Sequence, residues 1–202
     1  MKTKTKMINC TGILLFFLIF CPCLYAQFGI GAAGGILYPG LISSAQSNSK
    51  FDTGWGYELM LQHQLFHLTD SIAIDARYAF RQFKNPVTLP NILKTWFTFN
   101  YLTINLLMDF YRWPKVALYA GAGGSLFSSR ASKDFFDYTG TSFIPEINFG
   151  CKWVPTQHYT LFSEISLQFG SLADVFDEHI PVTGLRFVLG GIMFLSKSET
   201  ED

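Results

Sequence analysis

The sequence predicts an all-β fold, an eight-stranded antiparallel up-and-down transmembrane β-barrel preceded by a cleaved signal peptide. Three observations carry this. Segments of about ten residues alternate apolar with polar or small side chains, the period of a strand with a different medium on each face. Eight such segments follow the N-terminal region, an even number. The connections between them alternate long and short.

The first 26 residues are expected to be an export signal and residues 27–202 the barrel domain. Lys2, Lys4 and Lys6 form a positive start, Gly12–Phe20 an apolar run, and Ala26 a small residue before Gln27. The run is too short for a membrane-spanning helix, which needs about 20 apolar residues. Cys21 and Cys23 lack the small residues that would precede a lipid-modified cysteine. Mass spectrometry of the membrane form should therefore find a chain beginning at Gln27; one that retains Leu15–Phe20 would sink this expectation. The chain has 15 basic and 15 acidic groups, so removing the three leader lysines leaves 12 basic against 15 acidic. That balance speaks against a nucleic-acid partner. Cys151 would be the only cysteine left, which rules out an internal disulfide.

The strands read in order as follows. The first, Phe28–Tyr38, sets Phe28, Ile30, Ala32, Ile36 and Tyr38 against Gly29, Gly31, Ala33 and Gly35. The second, Thr53–Phe66, sets Trp55, Tyr57, Leu59, Leu61 and Leu65 against Gly54, Gly56, Glu58, Gln62 and Gln64. The third, Ser71–Phe83, alternates Ile72, Ile74, Ala76, Tyr78 and Phe80 with Asp75, Arg77 and Arg81. The fourth, Phe97–Phe110, opposes Leu102, Ile104, Leu106 and Met108 to Thr103, Asn105 and Asp109, with Phe97–Tyr101 ambiguous in phase. The fifth, Val116–Phe127, carries Leu118, Ala120, Ala122 and Leu126 against Tyr119, Gly121, Gly123 and Ser125. The sixth, Phe143–Trp153, opposes Ile147 and Phe149 to Glu146, Asn148 and Lys152. The seventh, Tyr159–Gly170, opposes Leu161, Ile165 and Leu167 to Glu164, Ser166 and Gln168. The eighth, Val182–Leu195, opposes Leu185, Phe187, Leu189 and Met193 to Gly184, Arg186 and Gly190.

Long connections are expected at Pro39–Asp52, Lys84–Trp96, Ser128–Gly140 and Ser171–Pro181, and short ones at His67–Asp70, Tyr111–Lys115 and Val154–His158. Long loops on one side and short turns on the other is the pattern of the bacterial outer membrane, and it puts both termini in the periplasm. A soluble barrel would be polar outside, whereas here one face of nearly every strand is apolar. The other face collects Glu58, Asp75, Arg77, Arg81, Asp109, Glu146, Lys152, Glu164 and Arg186, four bases and five acids expected to pair as an interior network. Aromatic belts are expected at both membrane interfaces: Tyr38, Trp55, Tyr57, Tyr78 and Phe80 near the long loops, and Tyr111, Trp113, Trp153 and Tyr159 near the short turns. If Gln64 lies opposite Ser71, Glu58 lies opposite Arg77 and Tyr57 opposite Tyr78.

The stretch Tyr101–Tyr111, YLTINLLMDFY, followed after a short turn by Val116–Gly124, VALYAGAGG, resembles the central hairpin of small outer-membrane β-barrels of Bacteroidota, which include the PorT-like proteins. The Tyr25-Ala26-Gln27 region is also similar to that group. The resemblance implies an outer-membrane barrel and permits a part in protein secretion. Gly121 and Gly123 fit it physically, because they leave space inside the wall for larger neighbours. The chain departs from the group where Phe194-Leu195 is followed by a tail to Asp202 rather than ending on an aromatic.

No constellation rises to a catalytic or metal site, and no cofactor is expected. His63 and His67 point the same way but lack further ligands. Asp174, Asp177 and Glu178 lack the glycine and spacing of a calcium loop and read as a solvated acidic stretch. His179 is the one histidine on the long-loop side, and with Glu178 beside it does not make a triad. The partner-binding candidate is the loop around Arg130, Lys133, Asp134, Phe135, Phe136, Asp137 and Tyr138, where aromatics adjoin mixed charges. The expected function is a non-enzymatic structural, binding or accessory component of the envelope with a side-chain-filled interior. Its partners would be outer-membrane lipids, the barrel-assembly machinery and an envelope protein. The alternative is an enzyme acting on lipid A or phospholipid, or a narrow channel, since glycines 29, 31, 35, 54, 56, 121 and 123 leave room inside.

Overall fold

A computed structural model describes residues 27–39, 50–69, 72–89, 92–133, 136–156, 158–175, 178–181 and 183–195. The expected signal peptide lies outside the described residues. Eight antiparallel strands form the barrel wall: β1 (Phe28–Pro39), β2 (Gly54–Thr69), β3 (Ile72–Leu89), β4 (Ile92–Arg112), β5 (Val116–Lys133), β6 (Phe136–Thr156), β7 (Tyr159–Gln168) and β8 (Gly184–Phe194). Each pairs with its neighbours in chain order, and β1 closes on β8 from Gly29↔Phe194 to Pro39↔Gly184. Closure leaves no unpaired wall strand, which removes the exposed edges of an open sheet.

The wall is inverted relative to a water-soluble protein. Leu102, Leu126 and Phe143 are 60%, 64% and 63% exposed on the outside, whereas Arg77, Arg81 and Arg186 are 0% exposed inside. Water on the outside would solvate such a surface poorly, and a contiguous apolar patch of this extent marks contact with lipid. Among the described residues no helix is long and apolar enough to cross a membrane.

Two expected loops are β-hairpins. β3 and β4 run on to Leu89 and Ile92, which pair. β5 and β6 run on to Lys133 and Phe136, which also pair. Alternation faded there because a strand beyond the bilayer meets water on both faces and needs no apolar side. A 21-residue strand such as β4 or β6 is about 70 Å long at ~3.3 Å per residue, while crossing takes about 9–11 residues. These hairpins therefore stand well clear of the crossing region. The expected loop Ser171–Pro181 contains a two-stranded piece, Ser171–Val175 with Glu178–Pro181, and Lys50–Phe51 pairs with β3.

The expected register between β2 and β3 is overturned. Glu58 lies opposite Arg81, Gln62 opposite Arg77, and Tyr57 opposite Gln82. β2 runs to Thr69 opposite Ile72, which makes the turn tighter than His67–Asp70, and two bulges absorb part of the difference. The net slip from the expected pairing is four residues. An even slip keeps every side chain on its face, so the inward set is unchanged while its partners change.

The turn-side belt is formed by Tyr111, Trp113, Trp153 and Tyr159, all exposed. On the hairpin side it comprises Tyr38, Trp55, Tyr57 and also Trp96. Tyr78 and Phe80 do not belong to it: they align with Ile104 and Leu102 in aliphatic rows, because β3 continues past them to Leu89.

Candidate functional site

The inward positions of the crossing segments hold the chemistry of this molecule. They are polar where two or more strands bring opposite charges to one level, and a buried charge is tolerated only with such partners. Glu164 on β7 is the hub. Its Oε2 accepts from Arg77 Nη1 at 2.5 Å and from the Tyr119 hydroxyl at 2.8 Å. Its Oε1 accepts from Arg186 Nη2 at 2.7 Å and from Ser166 Oγ at 3.2 Å. Arg186 also pairs with Glu58 through Nη1. Glu58 Oε2 lies 3.2 Å from Arg81 Nε, and Arg81 Nη1 reaches Glu146 Oε2 at 2.6 Å. Asn105 and Gln168 donate to Glu146 at 2.6 and 3.3 Å.

On the turn side the chain continues. Arg77 Nε donates to Gln62 Oε1 at 3.2 Å, and Gln62 Nε2 to Asp75 Oδ2 at 2.6 Å. Lys152 Nζ sits between Asp75 and Asp109 at 2.7 and 2.6 Å. All nine expected interior charges are thus buried and joined in one run: Glu146, Arg81, Glu58, Arg186, Glu164, Arg77, then through Gln62 to Asp75, Lys152 and Asp109. The expected pair Glu58–Arg77 does not form. The slip described above gives Glu58 to Arg81 and Arg186, and Arg77 reaches across the lumen to Glu164. Rings cover the cations, with Arg77 4.8 Å over Phe162 and Lys152 5.0 Å over Tyr119.

The glycines do not leave an open lumen. A Cβ on Gly121 would strike Leu107, one on Gly123 Asn105, one on Gly56 the Phe83 ring, and one on Gly150 the Tyr119 ring. Each gap is occupied by a larger inward neighbour. Gly150→Leu should accordingly displace Tyr119 from Glu164 and lower stability by about 1–3 kcal/mol, the range for overpacking. Thermal unfolding in detergent measures this, and an unchanged midpoint would show that the space is slack.

Above the charges, toward the hairpins, lies a second closure that the alternation left unread. Leu37, Phe83, Phe97, Phe99, Tyr101, Phe127 and Ile144 are buried in one cluster. The Phe127 ring centroid is 5.3 Å from Phe99 and 4.9 Å from Tyr101. The signal was present in the numbering: Phe97, Phe99 and Tyr101 share the odd phase of Thr103, Asn105 and Asp109. Aromatics on an otherwise polar phase made that stretch ambiguous.

No protein-family model matches the chain, and no curated protein sequence does. Solved structures match it. Neisserial surface protein A aligns with a TM-score of 0.55 at 16% identity, over 83% of this chain and 96% of that one. Ail, the attachment invasion locus protein of Yersinia pestis, aligns with a TM-score of 0.50 at 13% identity, over 84% of this chain and 97% of that one. The fold is that of the small outer-membrane β-barrels. Within this outer-membrane barrel fold, the candidate partner-binding residues occupy the β5–β6 hairpin. Arg130 is exposed on the outer wall opposite Thr139. Lys133 pairs with Phe136, Ser132 with Asp137, and Ala131 with Tyr138, while Asp134 and Phe135 lie outside the described residues. Among the described residues no group of three His, Cys, Asp or Glu is placed to hold a metal ion.

Proposed function

We propose that this chain is an integral protein of the bacterial outer membrane that works through its surfaces rather than through its lumen. Its role is that of a structural, binding or accessory component of the envelope, without catalysis of its own. The observation that carries this reading is the double closure: an alternating-sign network across the barrel with an aromatic plug directly above it. An eight-stranded wall encloses a space that side chains can fill, and here they do. What remains for function is the outer wall and the hairpins that project beyond it, the β5–β6 hairpin with Arg130 foremost. In this reading residues 1–26 direct export, the assembly machinery inserts the barrel, and both termini stay in the periplasm. The likeness of Tyr101–Gly124 to the hairpin of PorT-like barrels favours an envelope protein partner connected with secretion.

Planar-bilayer recording of the purified protein tests the closed lumen. The expected trace is silent, without steady conductance. Stable porin-sized openings would refute the reading.

A further inference from the structure

The outer wall between β2 and β5 is layered. Strand register sets four outward rows across these strands. The row nearest the hairpin tips is Trp55–Lys84–Thr98–Arg130. The next is Tyr57–Gln82–Asn100–Ser128. Below it come Leu59–Phe80–Leu102–Leu126 and then Leu61–Tyr78–Ile104–Gly124. Going down the wall, the chemistry passes from cationic and aromatic, through amide and hydroxyl, to purely apolar.

Three concavities follow these rows. One of about 530 Å³ is lined by Trp55, Lys84, Trp96, Thr98 and Arg130. A second, about 460 Å³, holds Asn100 and Ser128 above Leu102 and Leu126. A third, about 860 Å³, shares Phe80, Leu102 and Leu126 with the second and extends down the aliphatic rows. The side chains of Lys84 and Arg130 are exposed, and neither forms an ion pair among the described residues. They flank Thr98 with one strand between them, so their backbones are about 10 Å apart at ~4.8 Å per strand. Two like charges at that spacing suit one anion held between them over the Thr98 hydroxyl. Beneath them Gln82 donates to Asn100 Oδ1 at 2.9 Å, which leaves the Asn100 amide N–H groups for an outside acceptor.

On the other half of the wall the outward row Ile147–Leu167–Leu185–Tyr38 carries no charge.

We propose that this face is a binding site for a phosphorylated lipid. Lys84 and Arg130 take the headgroup phosphate between Trp55 and Trp96. The row of Asn100 and Ser128 meets the ester or amide linkages, and the acyl chains lie along Leu102, Leu126 and Ile104. Charge complementarity selects the phosphate, and the vertical order of the rows selects an amphiphile over a soluble anion. The inference rests on the membrane reading proposed above.

Native mass spectrometry of the full-length barrel, titrated with monophosphorylated lipid A, tests it. The comparison probes are the same lipid after phosphatase treatment and glucosamine 1-phosphate as a chain-free phosphate. The phosphorylated lipid is expected to bind at least about tenfold more tightly than the dephosphorylated one. Lys84→Gln with Arg130→Gln should remove that difference, and Lys84→Arg with Arg130→Lys should keep it. Excess glucosamine 1-phosphate should fail to displace the lipid. Equal binding of the two lipids, or an unchanged preference in the double Gln variant, would overturn the phosphate site. Displacement by glucosamine 1-phosphate would overturn the lipid assignment. Insertion into vesicles is scored separately by protease protection. A barrel that does not insert sinks the membrane reading, whereas an inserted barrel indifferent to phosphate sinks this inference alone.

Discussion

Glu164→Gln should destabilise the barrel by about 3–5 kcal/mol, the cost of leaving a buried cation without its counter-charge. Glu164 bonds Arg77 at 2.5 Å and Arg186 at 2.7 Å, and all three side chains are sealed from solvent. The two arginines are not equally dependent on it. Arg186 retains Glu58, whereas the remaining side-chain acceptor of Arg77 is the neutral Gln62. Adding Arg77→Met to Glu164→Gln should therefore recover more stability than adding Arg186→Met. Denaturant unfolding of the refolded barrel, followed by tryptophan emission, provides the double-mutant cycles. Equal recovery by the two arginine variants would contradict the inequality. Strict additivity in both cycles would contradict the hub itself.

Phe127→Ala should cost about 3–5 kcal/mol, as removal of a buried aromatic ring generally does. Its ring packs on Phe99 and Tyr101 and is 1% exposed. Despite that loss the variant should stay electrically silent, because Arg81 and Glu58, which share its row, remain paired with each other and with Glu146 and Arg186. The two seals are thereby separable: one experiment reads stability and the other reads ion flow. Steady current through Phe127→Ala would mean that the charges do not close the lumen. A loss under about 1 kcal/mol would place the ring outside the packed cluster, since surface substitutions rarely exceed half that figure.

The wall and its faces were legible because a bilayer imposes a strong, simple code. Where β3 crosses, Arg77 and Arg81 must point away from lipid and Tyr78 and Phe80 toward it, and a two-residue period records this directly. That code is blind to even slips, so it fits Glu58 opposite Arg77 as well as opposite Arg81, its actual neighbour. The bulges near Gln64 and His67 and the tight turn after Thr69 leave no mark in a hydrophobic pattern. It is also silent where lipid ends. The strands through Ser128–Lys133 and Phe136–Gly140 carry no sustained apolar alternation, only Phe136 and Tyr138 on one phase, so their pattern reads as a loop. The plug was hidden for a different reason. Phe97, Phe99 and Tyr101 are apolar on the inward phase, and alternation alone does not say that a lumen has one wet level and one dry level. Contacts across the lumen, such as Arg77 with Glu164, join residues far apart in sequence, and no local pattern encodes them.

The interior network is assembled from β2, β3, β4, β6, β7 and β8, and its strongest links bridge strands that are not neighbours. Of the ion pairs among the described residues, only Glu58–Arg81 and Glu164–Arg186 join neighbouring strands, so most of the charges find no partner within their own hairpin. The hairpin of β3 and β4 on its own would carry Asp75, Arg77, Arg81 and Asp109 with their counter-charges still missing. A chain threaded halfway into the bilayer would thus hold unpaired ions in a low-dielectric medium until β6, β7 and β8 come to face β2, β3 and β4. The same side chains that block the barrel also act as a checkpoint on its assembly. They make partial insertion unstable and favour an all-or-none transition.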